Sequence, residues 1–162
     1  MIKKRFILFS IAALVVLFTS NSCKKCDAGS GDVNTGEIIQ GAIIYPRSGY
    51  LTSNYNSWLF NAEATLGHSA DFFEVSFDGG LTKVAVDYSQ YSVMGNPMTI
   101  NCEANFSRDV SRDNVNNVVT YTVTATTCKS CKHRRTVENY VLVNKVPAGA
   151  YTILFLKDEI VK

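Results

Sequence analysis

An all-β fold, an antiparallel sandwich of about seven strands, is what the chain predicts. Three observations carry this. Apolar and polar residues alternate with a period of two through most of the sequence beyond residue 36. Gly, Pro, Asn and Asp clusters interrupt that alternation at short intervals. Beyond residue 22, no window of eleven or more residues keeps a 3.6-residue period. A small closed β-barrel is the alternative architecture.

The elements follow in order. EIIQGAIIY (Glu37–Tyr45) is the first expected strand, ended by Pro46 and the turn residues Arg47, Ser48 and Gly49. WLFNAEATL (Trp58–Leu66) is assigned to a strand over a short helix. DFFEVSF (Asp71–Phe77) and LTKVAVDY (Leu81–Tyr88) flank Asp78-Gly79-Gly80, a hairpin signal. MTINCEANF (Met98–Phe106) alternates so that Ile100, Cys102, Ala104 and Phe106 share the inward face. FSRDVSRDN (Phe106–Asn114) repeats Ser-Arg-Asp and is expected to be a solvated turn. In VVTYTVTAT (Val118–Thr126), Val119, Tyr121, Val123 and Ala125 form one face and four threonines the other. RRTVENYVLVN (Arg134–Asn144) is its expected partner. VPAG (Val146–Gly149) turns into the last strand, YTILFLKDEIV (Tyr151–Val161).

The N-terminus sets the cellular location. Lys3, Lys4 and Arg5 precede thirteen uncharged residues, Phe6–Phe18. About 20 apolar residues are needed to span a bilayer, so this run is short for a membrane helix. A basic start, a short apolar run and small residues after it make a secretory signal. Ser20 and Ser22 stand third and first before Cys23, where a cut after Ser22 is sterically accessible. Thr19-Ser20-Asn21-Ser22-Cys23 resembles the lipobox of bacterial lipoproteins. It lacks the usual Leu at the third position before the cysteine and the Ala or Gly just before it. The resemblance implies acylation of Cys23 with chains of the palmitate type. Two or more such chains anchor stably, at about 0.8 kcal/mol per buried methylene. Lys24 and Lys25, in place of an Asp, resemble outer-membrane sorting. Cys26 is excluded as the anchor because Lys25 would fill a small-residue pocket. The expected organisation is therefore a signal peptide over 1–22, a lipidated cysteine and flexible tether over 23–36, and the β-domain over 37–162.

Charge belongs largely to the signal. The full chain carries 16 Lys and Arg against 14 Asp and Glu, a net +2. Losing Lys3, Lys4 and Arg5 leaves 13 cations and a net charge of −1. A nucleic-acid partner would require a clustered cationic face, which this balance does not provide.

The chemistry-bearing residues are few. TCKSCKH (Thr127–His133) places Cys128 and Cys131 at metal or redox spacing, with His133 two positions on. Attachment of c-type haem needs the histidine directly after the second cysteine, and Lys132 intervenes. Structural zinc wants four ligands, so Cys128, Cys131 and His133 need a fourth from Cys102 or Cys26. Zinc or copper is the cofactor this alternative implies; the leading reading has none. An exported chain meets an oxidising compartment, so disulfides among Cys26, Cys102, Cys128 and Cys131 are preferred, with Cys102, Cys128 and Cys131 the leading candidates. A disulfide between two strands would add about 2–4 kcal/mol. Tyr50, Tyr55 and Trp58, near Arg47, Asn54 and Asn56, are candidates to stack on a glycan; core-capping aromatics are the plainer assignment. Tyr45, Tyr88 and Tyr91 pose the same choice. His68 stands alone, no G-x-S-x-G occurs, and nothing selects a carboxylate pair.

The C-terminal VPAGAYTILF (Val146–Phe155) resembles the proline–small–glycine–small–tyrosine–threonine strand entry of bacterial immunoglobulin-like and prealbumin-like modules. The expected protein is thus a non-enzymatic binding or structural module, lipid-anchored at the outer membrane and facing an envelope protein or glycan. The alternative is a metal- or redox-handling lipoprotein centred on Cys128, Cys131 and His133.

Overall fold

The computed structural model describes residues 31–47, 56–61, 73–101, 104–127 and 134–162. Among them there is no helix, and twelve strands form four sheets that do not close into a barrel. The strands are β1 (Val33–Gly36), β2 (Ile43–Pro46), β3 (Trp58–Phe60), β4 (Phe73–Ser76), β5 (Val84–Ala85) and β6 (Tyr91–Gly95). They continue with β7 (Met98–Asn101), β8 (Asn105–Asp113), β9 (Val118–Thr127), β10 (Arg134–Val137), β11 (Tyr140–Asn144) and β12 (Thr152–Val161).

The largest sheet runs β1-β8-β9-β12. It is mixed, not antiparallel throughout as expected: β8 and β9 are an antiparallel hairpin, but β1 lies parallel to β8 and β12 parallel to β9. A long β-strand buries one face by alternation. In β9 that face is Val119, Tyr121, Val123 and Ala125, all fully buried, as the sequence leads one to expect. They pack with Phe106 and Val110 of β8, Met98 and Ile100 of β7, Met94 of β6 and Val141 and Val143 of β11.

The β3-β6-β11 sheet is buried on both faces. Met94, Val141 and Val143 point into that first core, while Phe60, Val93 and Leu142 point into a second. The second core is closed by Phe73 and Val75 of the β2-β4-β5 sheet. Edge-to-face rings knit it together: Phe60–Phe73 at 4.8 Å and Phe73–Tyr140 at 5.0 Å. Such geometry adds about 0.5–1.5 kcal/mol per pair beyond area burial.

Several expectations are corrected. Val33–Gly36, placed in the tether, form strand β1. Glu37–Tyr45 is not one strand: Ile38 bridges to Val143, Gly41 turns the chain at a φ of 75°, and β2 begins at Ile43. Phe106–Asn114, expected to be a solvated turn, is almost wholly inside β8. Arg134–Asn144 breaks into β10 and β11, which pair with β7 and β6; β9 pairs with β8 and β12 instead. Strand β6 was absent from the expected set.

The Asp78-Gly79-Gly80 signal does mark a hairpin, β4 to β5, across residues 77–83. The Ser76 hydroxyl donates to Asp78 Oδ1 at 2.6 Å, and the Thr82 amide donates to the same oxygen at 2.9 Å. The Ser76 bond, then the Thr82 amide, hold the Asp78 carboxyl down from an ordinary 3.8 to about 2. A depressed folded value stabilises the fold above the unfolded value and loses that contribution as pH falls towards the folded one. The melting temperature of the native chain is therefore expected to fall more steeply than that of Asp78→Asn between about pH 4 and pH 2. Parallel thermal melts across that range measure the difference, and superimposable slopes would contradict the loop geometry.

Candidate functional site

Most residues singled out by sequence lie outside the described set: Cys23, Cys26, Tyr50, Tyr55, His68, Cys102, Cys128, Cys131 and His133. The strand ends that flank the later cysteines are described. Asn101 at the end of β7 pairs with Arg134 at the start of β10. Asn105 at the start of β8 pairs with Thr126 near the end of β9. Cys102 and residues 128–133 thus connect strands whose ends are themselves paired.

Trp58 opens β3 opposite Gly95 and is 37% exposed. Tyr45 is half-buried, with Lys83 Nζ 3.9 Å above its ring. Tyr88 and Tyr91 pack on the second core, so they are core-capping rings. Burial pushes the Tyr88 hydroxyl up to about 12. Lys145 fastens this region: its Nζ donates to the carbonyls of Asn61 and Tyr88, and its amide to Gln90 O at 2.9 Å.

A polar network crosses the first core, and sequence reasoning missed it. Asn96 and Asn139 are both buried. Their backbones join through the Asn96 amide and Asn139 O at 3.0 Å, and Asn139 Nδ2 donates to Asn96 O at 3.3 Å. Asn96 Nδ2 donates to Leu156 O at 2.9 Å and Tyr121 O at 3.3 Å, while Ser57 Oγ donates to Asn96 Oδ1 at 2.6 Å. The Tyr121 hydroxyl donates to Asn139 O at 3.0 Å. Burial raises the Tyr121 pKa well above the ordinary tyrosine value, with Arg108 opposing weakly, so the phenol stays protonated and donating.

The network reaches the surface through β8. Arg108 Nε donates to Asn139 Oδ1 at 3.0 Å, and its Nη2 meets Asp32 Oδ2 at 2.9 Å. Asp32 Oδ1 also accepts the Phe106 amide at 2.9 Å. Four residues on, Arg112 Nε lies 2.9 Å from Glu37 Oε2. These two ion pairs bracket β1 and hold it against β8. The usable signal was the alternation Phe106, Arg108, Val110, Arg112, which places two cations on the core side of one strand. Chemically the network is a cross-link: the side chains of Asn96, Asn139, Tyr121 and Arg108 satisfy one another and the nearby carbonyls, whereas Arg112 Nε, at ion-pair distance from Glu37, makes no aligned hydrogen bond.

The outer face of the same sheet carries Thr120, Thr122, Thr124 and Thr126, flanked by Leu154, Leu156 and Ile160 of the outermost strand β12. Among the described residues no group of three or more His, Cys, Asp or Glu is placed to hold a metal ion. No helix among them is long and apolar enough to cross a membrane. Comparison with known proteins finds no matching family model, curated protein or solved structure.

Proposed function

We propose that this chain is a lipid-anchored envelope protein whose β-sandwich body, immunoglobulin-like in its C-terminal strand entry, serves as a binding or structural module without catalysis. The observation that carries the reading is Cys23, placed directly behind small residues that close a thirteen-residue apolar run and a cationic start. Asp32, nine residues beyond Cys23, is pinned to β8 by Arg108 and the Phe106 amide. A body clamped at its N-terminal strand suits attachment from that side. Lys24 and Lys25 favour the outer membrane, with an envelope protein or glycan as partner.

Intact-mass measurement of protein extracted from membranes tests this. The expected chain lacks residues 1–22 and carries a diacylglyceryl group at Cys23. Cys23→Ala is expected to leave the membrane fraction entirely. A native chain recovered water-soluble and unacylated would refute the reading.

The paired strand ends around Cys102 and residues 128–133 favour a second feature, a covalent tie. Cys102 bonded to Cys128 or Cys131, or Cys128 bonded to Cys131, would lock that end of the body. Alkylation before and after reduction counts the bonded thiols in the same sample. Zinc or copper retained with free thiols would favour metal handling by Cys128, Cys131 and His133 instead.

A further inference from the structure

We propose that one end of the four-stranded sheet, marked by Val33, Ile160, Val161 and Lys162, rests on the phospholipid headgroup surface beneath the anchored chain. This rests on the lipid-anchor reading of Cys23 and adds to it an orientation and a contact.

The position of the chain's exit is fixed. Asp32 precedes β1 and is held to the Phe106 amide and to Arg108, at the start of β8. Because β1 runs parallel to β8, the chain before Asp32 leaves from that end of the sheet. Cys23 to Asp32 is nine residues, which at full extension span about 30 Å. The sheet end at Asp32 can therefore lie no farther than that from the acylated residue.

Register shows what else that end carries. Asn105 of β8 pairs with Thr126 of β9, and Thr126 pairs with Ile160 of β12. Val161 pairs with Thr127, whose carbonyl accepts the Lys162 amide at 2.9 Å. Val33, Ile160 and Val161 are 44%, 52% and 50% exposed, and Lys162 is exposed. Arg134, exposed at the start of β10, pairs with Asn101, which lies four residues before Asn105. Four residues of chain reach at most about 14 Å, so Arg134 belongs to the same end.

This is a small apolar set with two cations, Lys162 and Arg134, beside it. The apolar tips fit the boundary between headgroups and acyl chains, and Lys162 and Arg134 fit the phosphates. Glu159 and Asp158 are exposed one and two residues back from Ile160 along β12, and Glu159 accepts the Thr127 hydroxyl at 2.8 Å. Their charge opposes lipid phosphates, so the apolar tips and the tether, not net charge, carry the contact. An isolated body would bind weakly through so few groups. The anchor makes the contact intramolecular, which raises its occupancy without any new interaction. The opposite end of the hairpin, at Val115, lies about 26 Å away along β8. Val115 is 90% exposed and serves as the internal comparison.

The test uses the acylated full chain reconstituted into phosphatidylethanolamine–phosphatidylglycerol vesicles with brominated acyl chains. Trp58, the single tryptophan, is first replaced by Phe. Ile160→Trp or Val115→Trp then supplies the reporter, with Lys162→Trp as a second reporter at the docking end. Circular dichroism selects folded variants. Emission at 160 or 162 is expected to be lost to bromine quenching, with emission at 115 unchanged. Equal emission at both ends, in a chain shown by mass to be acylated and by flotation to be bound, overturns the docking and leaves the anchor intact. A chain that carries no acyl group overturns both.

Discussion

Alanine at position 36 is expected to cost about 3 kcal/mol and to lower the melting temperature by roughly 10 °C. Gly36 ends β1 at a φ of 69°, where a residue with a Cβ pays about 1–2 kcal/mol. The added carbon would also lie 2.1 Å from the Val110 carbonyl oxygen and 2.9 Å from Asp109 Oδ1. Val110 O is backbone and cannot rotate away. It also accepts the Glu37 amide at 2.8 Å, so relief of the clash breaks a ladder bond worth about 0.5–1.5 kcal/mol. Gly41 provides the control. It too has a positive φ, 75°, but open space around the added carbon. Gly41→Ala should therefore show only the conformational cost. Urea melts of the two variants separate the terms, and equal destabilisation would mean that β1 is not seated on β8.

What could be read from the chain depended on how each strand is stabilised. Strand β9 was legible because Val119, Tyr121, Val123 and Ala125 make its inward face apolar while four threonines, Thr120, Thr122, Thr124 and Thr126, line the outward one. Strand β8 was not, because Arg108 and Arg112 occupy its inward face beside Phe106 and Val110. Those cations are neutralised by Asp32 and Glu37, more than seventy residues away in sequence, and no local pattern reports that. Strand β1 has one apolar residue in four and is held by backbone bonds and flanking ion pairs. A period of two assigns faces and leaves neighbours open. Chain-adjacent pairing was the natural assumption for Arg134–Asn144 after β9, and the sheet instead places β12 there. The sheet end that gathers Val33, Ile160 and Val161 was not legible, since it exists only because the first and last strands flank the same hairpin.

The second large effect is expected at Asn139. Its side chain accepts Arg108 Nε and donates to the carbonyls of Asn96 and Val137 at 3.3 and 3.4 Å. Replacement by alanine leaves these buried groups without that partner, each at about 1–3 kcal/mol. Partial compensation by water brings the expected total to about 3–4 kcal/mol, a large part of a typical 5–15 kcal/mol fold. Tyr121→Phe is the contrasting variant. It removes one hydroxyl that donates to Asn139 O and keeps the ring against Phe155, so about 1 kcal/mol is expected. The decisive measurement is the cycle with Asp32→Ala. Asp32 and Asn139 do not bond to each other; both hold Arg108. If Arg108 transmits strain between the core and β1, the two losses are non-additive by 0.5 kcal/mol or more, on the order of contacts that share a network. Strict additivity would show that β1 and the buried asparagines are stabilised independently, and that the arginine merely lies between them.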